Sequence, residues 1–174
     1  ERLIMVMSLE DQVVDRWLFY DWHQAELDEA IYPTKIGWTP VPSGFKDVER
    51  TFPHACLNTD CSSFDWTLPS WVVDILVEQR LSQCKNMTPE YETAVRNRYR
   101  EVLGDQAVVR LPDGRRFVQT RPGMMKSGWF RTLADNSLAQ LMIHGVAFYR
   151  AFGTLPPTIW TMGDDVLMCW SQDL

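Results

Sequence analysis

The stretch Trp160-Thr161-Met162-Gly163-Asp164-Asp165-Val166-Leu167-Met168 decides how the C-terminal part of the chain folds. Apolar, β-prone residues lie on both sides of a glycine and two adjacent acids. The pattern predicts a β-hairpin whose exposed turn carries Asp164 and Asp165. Neighbouring carboxylates repel each other unless a cation neutralises them, and Mg²⁺ is a hard ion that suits such oxygens. Gly-Asp-Asp is also ordinary turn chemistry, so the hairpin alone leaves a metal site and a polar turn both open.

The composition sets outer limits on the function. With 174 residues, 45% of them hydrophobic, the chain is long enough for a globular domain with a core. It has no apolar run of bilayer length and no visible signal peptide. Because it begins at Glu1 and ends just past the hairpin, we expect a fragment of a longer protein. Four cysteines without CxxC spacing and three scattered histidines predict neither a zinc site nor a redox motif.

Charge is unevenly distributed along the chain. The net charge of −6 argues against a protein that simply coats nucleic acid. One short stretch nevertheless has a local balance of +5, since only Asp113 opposes six basic residues: Arg110, Arg115, Arg116, Arg121, Lys126 and Arg131. This stretch is either a solvated basic face or a surface for an anionic partner.

The N-terminal part predicts a short strand, a helix and a loop. Leu3–Met7 has the apolar character of a strand, and Ser8 with Asp11 forms a capping box. The spacing predicts that the helix buries one face: Val13, Val14, Trp17, Leu18 and Trp22. Residues 32–46 are rich in Pro and Gly and predict a loop.

The remaining elements are bounded by cap and turn residues. We expect helices from Pro69, in the first turn, to about Cys84, from Thr88 to Gly104, and from Trp129 to about Phe152. A second hairpin should turn at 112–114. The last helix is expected to bury an apolar stripe: Leu133, Leu138, Leu141, Met142 and Val146. The element order favours an α+β fold, with a small antiparallel sheet backed by helices.

Asp60 is a third acid that we expect to lie near the hairpin. The β-prone stretch from His54 to Thr59 places Asp60 at the end of a strand. If this strand neighbours the hairpin, Asp60 converges with Asp164 and Asp165. Three such acids suit two divalent ions about 4 Å apart, which is the arrangement used in phosphoryl transfer. Asp65 either reads a sugar hydroxyl nearby or is an acid at a helix entrance.

Three groups of residues, taken in order, carry a resemblance. Asp60-x4-Asp65, then Ser127-Gly128-x3-Thr132-x3-Asn136, then Gly163-Asp164-Asp165 resemble palm motifs A, B and C of viral RNA-dependent RNA polymerases. More narrowly, Arg2-Leu3-Ile4-Met5, Phe64-Asp65-Trp66 and the stretch from Gln119 to Gly128 resemble the sobemovirus, polerovirus and barnavirus-like polymerases. Ser63 stands where those relatives more often carry Gly.

The resemblance implies a fold and its segments. The expected fold is an α+β right-hand polymerase palm with part of the fingers and without the thumb. The segments it implies are 1–50, a fingers-side helix and loop; 51–86, motif A; 87–119, a fingers-like insertion; 120–152, motif B; and 153–174, the motif C hairpin.

The resemblance also implies residue roles. Asp60, Asp164 and Asp165 would be the catalytic metal ligands for two Mg²⁺ ions, which Mn²⁺ could replace. The residues it assigns to the nucleotide and its ribose are Asp65, Ser127, Gly128, Thr132, Asn136 and Arg2. Lys126 and Arg121 are weaker candidates for RNA contacts.

The implied reaction is RNA-templated RNA synthesis from nucleoside triphosphates during viral genome replication. The implied partners are an RNA template, the nascent strand and other viral replication proteins, and the implied location is the host cytoplasm at membrane-associated replication complexes. Two alternatives stay open, a reverse transcriptase palm and a catalytically silent palm-like interaction module. Met162 and Asp65 speak against the reverse transcriptase, which would carry an aromatic residue and a bulky gate at the corresponding places.

Overall fold

The computed structural model describes residues 4–28 and 32–170 and divides them into two compact units. Of the described residues, the first unit comprises 4–20 and 63–132, and the second comprises 21–28, 32–62 and 133–170. The helices are α1 (Leu9–Asp28), α2 (Phe45–Thr51), α3 (Phe64–Thr67), α4 (Ser70–Ser82), α5 (Pro89–Leu103) and α6 (Thr132–Phe152). The strands are β1 (Cys56–Asp60), β2 (Val108–Arg110), β3 (Arg116–Val118), β4 (Ile159–Met162) and β5 (Asp165–Cys169).

The first unit packs helices around an aromatic cluster. Phe19, Tyr99 and Trp129 meet edge to face, with ring centroids 5.3–6.1 Å apart. The side chain of Thr88 accepts a hydrogen bond from the Tyr91 N–H and caps α5, as predicted from the sequence. The hairpin of β2 and β3 belongs to this unit, and its turn is confirmed.

The second unit is built on a three-stranded antiparallel sheet in the order β1-β5-β4. Val166 and Met168 alternate inward along β5 and pack with Ile159 and Phe148. On the opposite strand face, Trp160 contacts the rings of Trp38 and Phe52. The expected neighbourhood of the motif A strand and the hairpin is therefore confirmed.

Several local predictions are wrong. Residues 4–7 are not a strand, although the Met5 N–H donates to the Ser127 carbonyl at 2.7 Å. The predicted loop 32–46 contains a π-helical turn, Pro40–Gly44, and leads into the unforeseen helix α2.

Within the described ranges, no helix has the length and apolar character needed to cross a bilayer.

The predicted face of α1 is largely wrong. Leu18 is buried, but Val13, Val14 and Trp17 are exposed. The buried face instead carries Asp15, which Arg98 of α5 contacts through both carboxylate oxygens at 2.7 and 3.0 Å. This ion pair links residues 83 positions apart, and Asp15 is buried on α1 together with Leu18 and Phe19.

Candidate active site

The turn between β4 and β5 is shorter than the sequence indicated. Met162 pairs with Asp165, so only Gly163 and Asp164 form the turn and Asp165 is the first residue of β5. Gly163 has φ = 67°, a left-handed conformation that glycine adopts without strain. The acids therefore have different positions: Asp164 is in the turn, while Asp165 is in the sheet.

Buried polar groups of α6 hold this turn. Ser137 accepts a hydrogen bond from the Gly163 N–H at its hydroxyl and one from the Thr161 hydroxyl at its carbonyl, both 2.8 Å. The Gln140 amide donates to the Asp164 carbonyl at 2.9 Å. Ser137 and Gln140 are fully buried. The backbone that carries Asp164 is thus fixed from the helix.

Sequence reasoning missed Ser137 and Gln140. The available signal was the polar pair three residues apart that flanks the apolar Leu138 and Ala139. The predicted apolar stripe of α6 is only partly correct. Leu138 is buried, whereas Leu133 and Val146 are 46% and 41% exposed.

Asp60 lies directly opposite Asp165 in the antiparallel pairing of β1 with β5. Residues opposite each other in such a pair point to the same face of the sheet, and like charges there destabilise it. The neighbouring Thr59 is held by a hydrogen bond of 3.1 Å to His144 of α6. The strand ends are therefore anchored while two carboxylates face each other at an exposed position.

The three acids predicted as metal ligands lie in the turn and at the paired strand ends. Within residues 4–28 and 32–170, no group of three or more His, Cys, Asp or Glu side chains is arranged to hold a metal ion. The paired carboxylates of Asp60 and Asp165 nevertheless fit Mg²⁺, because this ion commonly takes only one or two carboxylates and completes its shell with phosphates and water. The three-acid, two-ion site stays a prediction.

Asp165 also borders a pocket of about 340 Å³ on the strand face that carries Trp160. Lys35 lines the same pocket, with its ammonium 4.5 Å from the Trp160 ring centroid. Burial lowers the pKa of Lys35, and the Asp47 carboxylate opposes that effect. Lys35 and Asp165, one of the two paired acids, therefore line the same pocket.

The predicted ribose-reading residues are divided between the two units. In the first unit, the Ser127 hydroxyl donates to the Asp65 carboxylate, and the Thr132 hydroxyl donates to the Lys126 carbonyl at 2.6 Å. Asn136 is buried in the second unit, one turn along α6 from Thr132. The joint arrangement of these residues stays a prediction.

Gly128 permits a close backbone approach. It has φ = 115°, and a Cβ at this position would overlap the Met5 carbonyl oxygen. Any larger residue would therefore displace the segment that precedes α1. Arg121 is exposed, Lys126 is buried, and Arg2 lies outside the described residues.

Comparisons with known proteins identify the family. The chain matches the family model of viral RNA-dependent RNA polymerases over residues 1–174. It is 31% identical to Protein P1-P2 of Pea enation mosaic virus-1, over 99% of this chain and 15% of that protein. It is 28% identical to the RNA-directed RNA polymerase of Mushroom bacilliform virus, over 99% of this chain and 43% of that enzyme. Polerovirus, sobemovirus and barnavirus replicases are among the relatives, which confirms the resemblance drawn from the motifs.

A solved structure supports the fold. The insertion-loop deletion mutant of the RNA-dependent RNA polymerase of a human picorbirnavirus superimposes with a TM-score of 0.75 at 15% identity, over 98% of this chain and 33% of that one. The α+β polymerase palm fold predicted from the sequence is thereby confirmed. With a family model that matches from residue 1 to residue 174, the chain belongs to the viral RNA-dependent RNA polymerase family.

Proposed function

We propose that this chain is the palm and part of the fingers of a longer polymerase that copies viral RNA from nucleoside triphosphates. The chain spans about 15% of the length of the P1-P2 relative, so the activity belongs to the whole protein. The observation that carries the proposal is the in-register pairing of Asp60 with Asp165 beside a turn that holds Asp164. The family match favours neither the reverse transcriptase nor the silent module.

Each part of the site has a task in this reaction. Asp60, Asp164 and Asp165 would bind two Mg²⁺ ions, or Mn²⁺ in their place. When bound, these ions would stabilise the charge on the attacking and leaving oxygens of phosphoryl transfer. Ser137 and Gln140 keep the Asp164 backbone in place. This rigidity favours catalysis, because a displacement of about 1 Å in a reacting group lowers rates strongly.

The remaining residues select the substrate in this proposal. Asp65 and Ser127, already hydrogen-bonded to each other, would exchange that bond for one with the ribose hydroxyl of the incoming nucleotide. A site that hydrogen-bonds a hydroxyl rejects an analogue without it, since its polar groups are then left unpaired. Thr132, Asn136, Gly128 and Arg2 would complete the nucleotide site.

The partners of the whole protein follow from the same proposal. They are template RNA, the nascent strand and other products of the viral replicase, with exposed Arg121 as a contact for RNA phosphate. Two relatives in this family are named P1-P2 and replicase polyprotein P2AB. We place the reaction in the host cytoplasm at membrane-associated replication complexes.

Removal of one acid tests the proposal. In the full-length polymerase, Asp164→Asn should lower nucleotide incorporation on a primed RNA template by about a hundredfold or more, since the metal contribution is several kcal/mol. Binding of the template, measured by fluorescence anisotropy, should persist. Glu49→Gln, an exposed acid of α2, is the matched control and should incorporate normally. Unchanged incorporation by Asp164→Asn would exclude this function, and a preference for deoxyribonucleotides would favour the reverse transcriptase.

A further inference from the structure

The loop from Arg121 to Gly128 carries the Ser127 hydroxyl and has an unusual backbone. Three of its residues have positive φ: Gly123 at 119°, Met124 at 47° and Gly128 at 115°. Glycine adopts such values freely, but a long side chain such as that of methionine is strained there. The conformation of Met124 therefore needs support from its surroundings.

Lys126 supplies that support from inside the same loop. Its ammonium donates to the Met124 carbonyl at 2.9 Å and to the side-chain carbonyl of Gln119. The residue is only 3% exposed, and burial lowers the pKa of its ammonium to about 8. The group is therefore still largely protonated at neutral pH, where it directs its charge to two carbonyl oxygens.

Gln119 connects Lys126 to the body of the first unit. Its amide nitrogen, which carries two hydrogens, lies within hydrogen-bond distance of the carbonyl oxygens of Leu103, Arg121 and Gly123, at 2.9, 2.6 and 3.1 Å. Since the nitrogen end of the amide is committed to these carbonyls, its oxygen end is left for Lys126. Leu103 is the last residue of α5, so the loop is fastened to the end of that helix.

The backbone of Lys126 is held as well. The Thr132 hydroxyl donates to its carbonyl, and the next residue, Ser127, accepts from the Met5 N–H and donates to Asp65. Both the side chain and the backbone of Lys126 thus have fixed partners. The backbone that leads into Ser127 is therefore held next to Asp65, the acceptor of the Ser127 hydroxyl.

We infer that Gln119 and Lys126 are positioning residues that hold the strained Met124 turn and thereby set the Ser127 hydroxyl against Asp65 for ribose recognition. This inference rests on the proposed polymerase function and gives Lys126 a task within the fold rather than on RNA. It makes the selection of ribose depend on a lysine whose ammonium is bonded to the carbonyl oxygens of Gln119 and Met124.

The test measures selectivity in the full-length polymerase. Lys126→Met should reduce the preference for ribonucleotides over deoxyribonucleotides by about tenfold, the order expected for losing one hydrogen bond to a charged donor. The loss should lie mainly in KM for the ribonucleotide. Lys85→Met, which removes an exposed lysine of the same unit, is the matched control and should keep the selectivity of the unsubstituted polymerase.

A second substitution separates positioning from general stability. Met124→Gly removes the strain, so adding Lys126→Met to it should lower selectivity by less than threefold. This comparison also serves if Lys126→Met alone does not fold. A lower melting temperature with full selectivity in Lys126→Met, or an equal loss in both backgrounds, would overturn the inference. Absence of incorporation by the unsubstituted polymerase would instead overturn the proposed function itself.

Discussion

The pairing of Asp60 with Asp165 predicts that the chain is destabilised by its own candidate active site. Opposite residues in an antiparallel pair have Cβ atoms about 5 Å apart. Two unit charges at about 5 Å repel by roughly 0.8 kcal/mol in water and about 3 kcal/mol at an effective dielectric constant near 20. Because both side chains are exposed, the lower value applies. Asp60→Asn should therefore raise the free energy of unfolding by about 1 kcal/mol in metal-free, low-salt buffer.

Mg²⁺ should reverse the order of stability between the unsubstituted chain and Asp60→Asn. An ion that binds only the folded chain stabilises it by about 1.4 kcal/mol at ten times its dissociation constant. The unsubstituted chain would gain this stabilisation, and Asp60→Asn would gain much less because half of the carboxylate pair is missing. The order of stability should therefore differ between buffer with EDTA and buffer with Mg²⁺.

Urea unfolding followed by circular dichroism measures both effects. Glu49→Gln, an exposed acid of the same unit, is the control and should respond to Mg²⁺ as the unsubstituted chain does. About 1 M NaCl should remove most of the gain from Asp60→Asn, since the Debye length is then roughly 3 Å. Our reasoning is wrong if Asp60→Asn destabilises the chain in EDTA, or if Mg²⁺ stabilises both chains equally.

Two further predictions concern buried charges in the first unit. Asp15→Ala should lower the free energy of unfolding, measured in urea, by about 2 kcal/mol, because Arg98 loses its buried partner and keeps only the more exposed Asp11 and Glu101. Asp15→Leu combined with Arg98→Met should lose clearly less stability than the two single changes together, and additive losses would contradict this. Burial lowers the pKa of Lys126 from 10.5 to about 8. Between pH 8 and pH 10.5 the unfolded chain therefore holds one more proton than the folded chain. The free energy of unfolding should rise with pH across this range, by up to about 3 kcal/mol. Lys126→Met should lack this rise. If urea titrations gave the same change of unfolding free energy with pH for Lys126→Met and for the unsubstituted chain, the prediction would be wrong.

The sequence predicted those elements whose ends are decided by neighbouring residues. Thr88 and Gly104 bound α5, Pro69 precedes α4, and the Gly163 turn joins two strands, all through local backbone chemistry. The position of Asp60 could be predicted for a similar reason, since it follows a β-prone run and lies at the strand end. The pairing of that strand with the hairpin, which the convergence of the three acids requires, is confirmed.

The sequence-based predictions failed where a contact joins residues that are far apart in the chain. Nothing within one turn of Asp15 indicates that a guanidinium 83 residues away contacts it, so the face of α1 was assigned from apolar spacing alone. The hydrogen bond from Met5 to Ser127 similarly joins distant segments and leaves residues 4–7 outside any sheet. Hydrophobic periodicity reports which residues prefer burial, but it contains no information about which charge finds a partner.

Two buried polar residues interrupt the apolar face of α6. A helix that served only the core would continue its apolar stripe, whereas α6 buries the hydroxyl of Ser137 and the amide of Gln140. Burying such groups is unfavourable unless each is hydrogen-bonded, and both are bonded to the backbone of the turn that carries Asp164. The interior of the second unit therefore contains hydrogen-bonded polar groups, in place of apolar side chains, next to the candidate catalytic turn. Violations of local sequence rules concentrate at functional sites for this reason, so a buried polar pair on a helix behind an acidic turn is itself evidence for the site.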